Sequence, residues 1–176
     1  IAENFLAGST SCLILGDNIF HGHGFSDLLR KASSLKEGAL VFGYRVKNPK
    51  DYGVVEFDKN DRVIGLEEKP EFPKSKYAVP GIYFFDHRAP KMARSLKPSP
   101  RGEIEITDLN SLYLEEGNLR VEILDRGYAW LDTGTHEDLL QASRFVHTII
   151  ERQGVQIGCL EEIAFEQGFI DKKTLK

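Results

Sequence analysis

The run "SCLIL", residues 11–15, is apolar without alternation and ends on Gly16-Asp17; a helical pattern and a second apolar run, "ALVF" (39–42), follow. A strand wetted on one face alternates apolar with polar residues, whereas a strand covered on both faces reads as continuous hydrophobics. The first run therefore reads as a central strand that delivers its last residues to a loop. Between the runs, "GFSDLLRKASSLKEG" reads as a helix, with Ser26 as its cap, Leu28, Leu29, Ala32 and Leu35 toward the core, and Gly38 as its stop. Strands linked by such a helix favour a right-handed crossover and parallel pairing.

The pattern then changes. "GVVEFDKNDRVIGLEEKP" reads as an antiparallel hairpin with Val55 and Phe57 on one face. "YAVPGIYFFD" is a further strand, in which Pro80-Gly81 predicts a bulge or close backbone approach. One helix should end before Pro98, and a second should run from a Thr107 cap to Gly117. "RVEILDRGYAWLD" supplies two short strands. "THEDLLQASRFVHTIIERQG" is the longest helix, with Leu139, Leu140, Ala142, Phe145, Val146, Ile149 and Ile150 as its apolar side. Thr135 and Asp138 have capping-box spacing, Gly154 ends the helix, and "LEEIAFEQG" predicts a last one. The expectation is mixed α/β, one domain over residues 1–176, with a C-terminal helical segment from about residue 155.

A chain of 176 residues with 41% hydrophobic content buries roughly 70% of its extended surface. Its net charge of −4 and scattered basic residues argue against coating nucleic acid. Cys12 and Cys159, far apart in sequence, read as reduced thiols of an intracellular, cytoplasmic protein. No apolar stretch is long enough to span a membrane, and no basic-then-apolar leader is visible. The opening "IAENFLAGST", with Ala2, Phe5 and Leu6 as an apolar stripe, reads as a helix end. The expectation is therefore the interior of a longer polypeptide, incomplete at both ends.

Asp17 in "LGDN" and Asp132 in "WLDTG" share a setting, in which an apolar run ends and an acid enters a glycine-flanked loop. Ligands of open α/β sheets sit beyond the carboxyl ends of strands. Two aspartates converging there would need a cation between them, and oxygen ligands favour Mg²⁺ over zinc. The alternative is two ordinary turn aspartates. Tyr52 beside Gly53 offers an aromatic platform for a sugar or base, or is a core tyrosine. Lys69 before Pro70 is a point charge for phosphate and Glu68 an acceptor for polyol hydroxyls, unless both belong to a solvated hairpin edge. Arg101 beside Gly102, with Glu103 and Glu105 nearby, reads as a phosphate ligand or a loop salt bridge. His21 and His23 form H-x-H without a third His or Cys, so they read as loop histidines, and His136 and His147 as helix-surface residues. Phe84, Phe85 and Phe145 read as core. No serine-nucleophile elbow, P-loop, zinc-protease or C-x-x-C motif occurs. These residues favour metal-assisted binding or transfer on a phosphorylated, hydroxyl-rich molecule.

Six stretches, "LILGDNIFHGHGF", "YGVVEFD", "LEEKP", "YAVPGIYFFD", "PRGEIEITDLN" and "RGYAWLDTGTHEDLLQASRF", together and in this order resemble the sugar nucleotidyltransferases over nearly the whole chain. The resemblance implies a three-layer, Rossmann-like mixed sheet with an antiparallel insertion, N-terminally incomplete because the family's glycine-rich triphosphate loop has no match here. It implies transfer of a thymidylyl group from dTTP to glucose 1-phosphate. UTP- or CTP-using relatives and a non-catalytic sugar-phosphate-binding module are the alternatives. By resemblance Asp17 and Asp132 hold Mg²⁺. Tyr52, Gly53, Glu68 and Val79 line the sugar pocket, with Glu103 at its edge, and Lys69 and Arg101 contact the sugar phosphate. Trp130 packs to fix Asp132. Arg126, Gly127 and Glu162 belong to a second, regulatory nucleotide site, and the assembly is a homotetramer.

Overall fold

The computed structural model describes residues 3–175. Ala2, part of the expected apolar stripe, and the two ends of the expected 1–176 domain lie outside them. In chain order the elements are α1 Glu3–Leu6, β1 Ser11–Ile14, β2 Asn18–Gly22, α2 Phe25–Ser33, β3 Ala39–Arg45, β4 Gly53–Phe57, β5 Val63–Glu68, β6 Tyr77–Ala78, β7 Ile82–Phe85, α3 Ala89–Ser95, α4 Ile106–Glu115, β8 Leu119–Leu124, β9 Tyr128–Asp132, α5 His136–Gln153 and α6 Leu160–Glu166. The chain divides into two compact units, one ending at Trp130 and one starting at Leu131.

In the first unit, β3 is the hub of a seven-stranded sheet. Its parallel partner β8 lies on one side. On the other side β7 pairs with Ala39–Val41 and β6 with Tyr44–Arg45, both antiparallel. Side chains of β3 and β7 alternate between two cores. Ala39, Val41, Tyr83 and Phe85 join Ala89, Leu109 and Tyr113 of α3 and α4 on one face. Leu40, Phe42, Ile82 and Phe84 join Ala32 and Leu35 of the α2 segment on the other. Helices thus cover both faces, the three layers expected, and burying a ring such as Phe42 contributes roughly 2–3 kcal/mol.

Several expectations change. Among the described residues the "SCLIL" run does not hold the central place expected: there β1 pairs only with β7, antiparallel, and stands at the end of the strand order. Leu13, Ile14 and Leu15 are exposed. β1 and β3 are not direct partners either, because β7 lies between them and the parallel pair is β3–β8. The helix α2 starts after Gly24 without a side-chain cap, so Ser26 lies inside it, and it ends at Ser33, before Gly38. Thr107 also lies inside its helix, where Glu105 holds the cap position without a side-chain bond. His21, expected in a loop, sits on strand β2.

The β4–β5 hairpin forms as expected, with Gly53 opposite Glu68. In the second unit Thr135 caps α5: its Oγ1 accepts from the Asp138 N–H at 3.1 Å and donates to Asp138 Oδ2 at 2.5 Å. Gly154, in the left-handed region, ends the helix. Leu139 and Leu140 are exposed rather than core, and Ala142 is the one buried residue of α5.

Candidate active site

The irregular segment between β6 and β7 shapes the site. On the side away from β3, β6 pairs with β4 and β7 pairs with β1. Val79-Pro80-Gly81 lies between these pairings, so β1 and β4 flank a gap instead of meeting. Backbone bonds fix its rims: Leu15 N–H donates to Gly81 O at 2.8 Å, and Val79 N–H to Gly53 O at 2.8 Å. The chain just after β1 (Gly16-Asp17-Asn18) and just before β4 (Tyr52-Gly53) is thereby brought to one opening. A Cβ on Gly81 would come within 2.7 Å of the Leu15 side chain, so this approach requires glycine.

At the far end of the hairpin, Glu68 is half-buried. Thr107 Oγ1 donates to Glu68 Oε2 at 2.5 Å. Arg101 Nη1 lies 3.7 Å from Glu68 Oε1 and 3.4 Å from Glu105 Oε1, and Nη2 lies 3.1 Å from Glu103 Oε2. Of the two readings of Arg101, the loop salt bridge is the one these contacts describe, and one of its partners is the Glu68 carboxylate. Gly53 lies under this cluster, where a Cβ would sit 2.9 Å from Thr107 Oγ1, 3.2 Å from Glu68 Oε2 and 4.0 Å from Val79 Cβ. Lys69 takes a positive φ of 43°, rare and strained for a side-chain-bearing residue. Its N–H is tied to Tyr52 O at 3.0 Å. Its ammonium is exposed and makes no ion pair with the described carboxylates.

Tyr83, buried on β7, reports on the charge around it. Burial pushes its phenol up, and the negative charges of Glu68 and Asp17 push it further. The two carboxylates therefore act on one ring. Asp17 is exposed and its Oδ1 accepts from Asn18 Nδ2 at 2.8 Å. Trp130 packs against Tyr52 at 4.9 Å and against Tyr44 at 5.7 Å between ring centroids. Its Nε1–H donates to Asn18 Oδ1 at 2.6 Å. In the second unit, Asp132 is half-buried and its Oδ1 accepts from Gly134 N–H at 2.9 Å, a turn-forming bond that orients the carboxylate.

Of the residues expected at the site, the first unit brings Tyr52, Gly53, Glu68, Lys69, Val79, Arg101 and Glu103 together, with Asp17 across the opening. Arg126 and Gly127 lie in the β8–β9 turn, where Arg126 lines a cavity of about 520 Å³ with Tyr44, Arg45, Tyr77 and Tyr128. Glu162 is an exposed residue of the first turn of α6. Among the described residues, no group of three or more His, Cys, Asp or Glu side chains is gathered to hold a metal. Thr107, Tyr83 and Asn18 were missed as site residues. Thr107 read as a helix cap and Tyr83 only as part of a strand; for Asn18, its position beside Asp17 was the one available signal.

The chain is 58% identical to a glucose-1-phosphate thymidylyltransferase of Xanthomonas campestris pv. campestris over all of its own length and 60% of that protein's. It is 53% identical to one of Neisseria meningitidis, covering 61% of it. It thus spans about three fifths of the curated relatives it matches. A crystal structure of a Bacillus anthracis protein described as a glucose-1-phosphate thymidylyltransferase, solved with sucrose, superposes with a TM-score of 0.72. The identity is 39%, over 82% of this chain and 57% of that one. The sequence model of the nucleotidyl transferase family matches residues 1–149. The sheet, the helices on its two faces and the opening at Pro80-Gly81 are those of a chain that belongs to the nucleotidyl transferase family.

Proposed function

We propose that the whole protein transfers a thymidylyl group from dTTP to α-D-glucose 1-phosphate, forming dTDP-glucose and pyrophosphate. The observation that carries this reading is the Glu68–Thr107–Arg101 cluster over Gly53, which sets a hydroxyl acceptor beside a guanidinium, as a sugar phosphate requires. Relatives bearing the name of that activity support it. A phosphate oxygen of the sugar attacks the α-phosphorus of dTTP; the new P–O bond forms as the bond to the β-phosphate breaks and pyrophosphate leaves. The nucleophile is already ionised near neutral pH, so no general base is needed.

Arg101 and Lys69 hold the sugar phosphate against the charge of the triphosphate, and Glu68 accepts sugar hydroxyls. Tyr52 and Val79 form the apolar wall, while Glu103 holds Arg101 at the edge. Asp17 and Asp132 are the residues we assign to Mg²⁺: both present carboxylates, hard oxygen donors, each with one oxygen oriented by an N–H donor. A bound Mg²⁺ would supply positive charge for the gathered phosphates. Arg126, which shares its cavity with Arg45 and three tyrosines, its neighbour Gly127, and Glu162 are the candidates for a second nucleotide site. A homotetramer in the cytoplasm completes the proposal; no helix among the described residues is long and apolar enough to cross a membrane.

The test is competition of dTTP, UTP and CTP for glucose 1-phosphate in the intact protein. Preferential formation of dTDP-glucose is expected; UDP- or CDP-glucose as the main product, or no product, would replace this reading with one of the alternatives.

A further inference from the structure

The side chain of Asn18 makes three hydrogen bonds to three separate parts of the first unit. Its Oδ1 accepts from Gly81 N–H at 3.0 Å and from Trp130 Nε1–H at 2.6 Å, and its Nδ2 donates to Asp17 Oδ1 at 2.8 Å. Gly81 N–H and the indole N–H can only donate, so the amide oxygen must face them. Both acceptor sites of that oxygen are then used, the amide plane is fixed, and its NH₂ group must turn toward Asp17. The orientation follows from the donors and not from an arbitrary choice of amide flip.

Asp17 lies on an exposed turn, where its Oδ1 accepts the Asn18 amide bond. The groups that set the amide are firmly placed. Gly81 is buried and tied to Leu15 through its carbonyl. Trp130 is clasped by Tyr52 and Tyr44.

Resting on the nucleotidyl-transfer reading above, we infer that Asn18 is a positioning residue. Its amide sets the carboxylate of Asp17 from the sugar-side segment at Gly81 and from Trp130. Removing a residue that orients a ligating carboxylate costs about 10–100-fold in activity.

The test uses two variants of the intact protein. Asn18→Asp keeps an oxygen for Gly81 and Trp130 but sets a second oxygen against Asp17 Oδ1; Asn18→Ala removes all three bonds. For Asn18→Asp the expected results are an unmoved indole N–H resonance from the single tryptophan, an unchanged melting temperature, and kcat lowered about 10–100-fold with KM for glucose 1-phosphate within about 3-fold. A crystal structure of this variant without metal should show the Asp17 carboxylate turned away. For Asn18→Ala the indole resonance should shift. Wild-type kcat in Asn18→Asp, or an Asp17 carboxylate left in place, would overturn the inference, as would an unmoved indole resonance in Asn18→Ala. If wild-type protein makes no nucleotide sugar, the activity reading fails by itself, and the crystal structure and resonance still decide the role of Asn18.

Discussion

Thr107 and Glu68 are joined by a 2.5 Å hydrogen bond that ties the first turn of α4 to the end of β5, 39 residues apart. The hydroxyl expected to cap a helix instead holds one oxygen of the carboxylate that accepts sugar hydroxyls in the proposed reaction. The bond exists because Gly53 has no side chain. In Gly53→Ala the new Cβ would fall 2.9 Å from Thr107 Oγ1. We expect KM for glucose 1-phosphate to rise at least about 10-fold, the size of a lost hydrogen bond to a charged group, with KM for dTTP little changed. Steady-state kinetics against each substrate checks this.

Arg101 faces three carboxylates, Glu68, Glu103 and Glu105. Arg101→Ala removes the phosphate anchor and leaves those charges to repel one another. Its kcat/KM for glucose 1-phosphate should fall about 100-fold, corresponding to about 3 kcal/mol, while dTTP binding holds within a few-fold. An unchanged kcat/KM would refute the assignment of this residue.

Chelation tests the metal. Activity of the intact protein should vanish in EDTA and return with added Mg²⁺, and Asp17→Asn and Asp132→Asn should each lower kcat by about 100-fold or more. Full activity in chelator would remove the proposed role of both aspartates.

Asp86 is fully buried and collects four bonds, from Gly38 N–H at 2.7 Å, Arg88 N–H and Arg88 Nε–H at 2.9 Å each, and Tyr113 O–H at 2.8 Å. Burial pushes its carboxyl up, but these donors together outweigh burial and hold it below the ordinary carboxylate value. A folded-state value below the unfolded one stabilises the fold above roughly pH 4, and that contribution is lost as pH falls through the lower folded value. Asp86→Asn should therefore melt several degrees below wild type at pH 7, a loss of about 2 kcal/mol. The gap should narrow below about pH 4; a gap independent of pH would mean that the charge of Asp86 does not matter.

Thr135→Ala should destabilise the second unit by about 1 kcal/mol, through loss of the bond from Asp138 N–H. Thr135→Ser should restore most of it. Thermal melting followed by circular dichroism distinguishes the two.

What the sequence by itself determined is local. The β4–β5 hairpin, the break at Pro80-Gly81, the Thr135 cap and the stop at Gly154 all follow from residues within a few positions of one another, where backbone preference and short-range hydrogen bonds decide. The same locality explains the errors. Ser26 and Thr107 were suitable caps, yet Gly24 and Glu105 hold those positions, and for Thr107 a distant carboxylate competes for the hydroxyl. The continuous apolar run at residues 11–15 showed strand but not its place, because which strand lies beside it depends on the chain path of the whole sheet, here β7 rather than β3. Tertiary structure alone decided the polar contacts. Asn18 meets Trp130 across 112 positions, and Gly38 meets Asp86 across 48. Such bonds leave no periodicity in the sequence, since a hydrogen-bonding side chain specifies only the chemistry of its partner and the fold selects which residue that partner is.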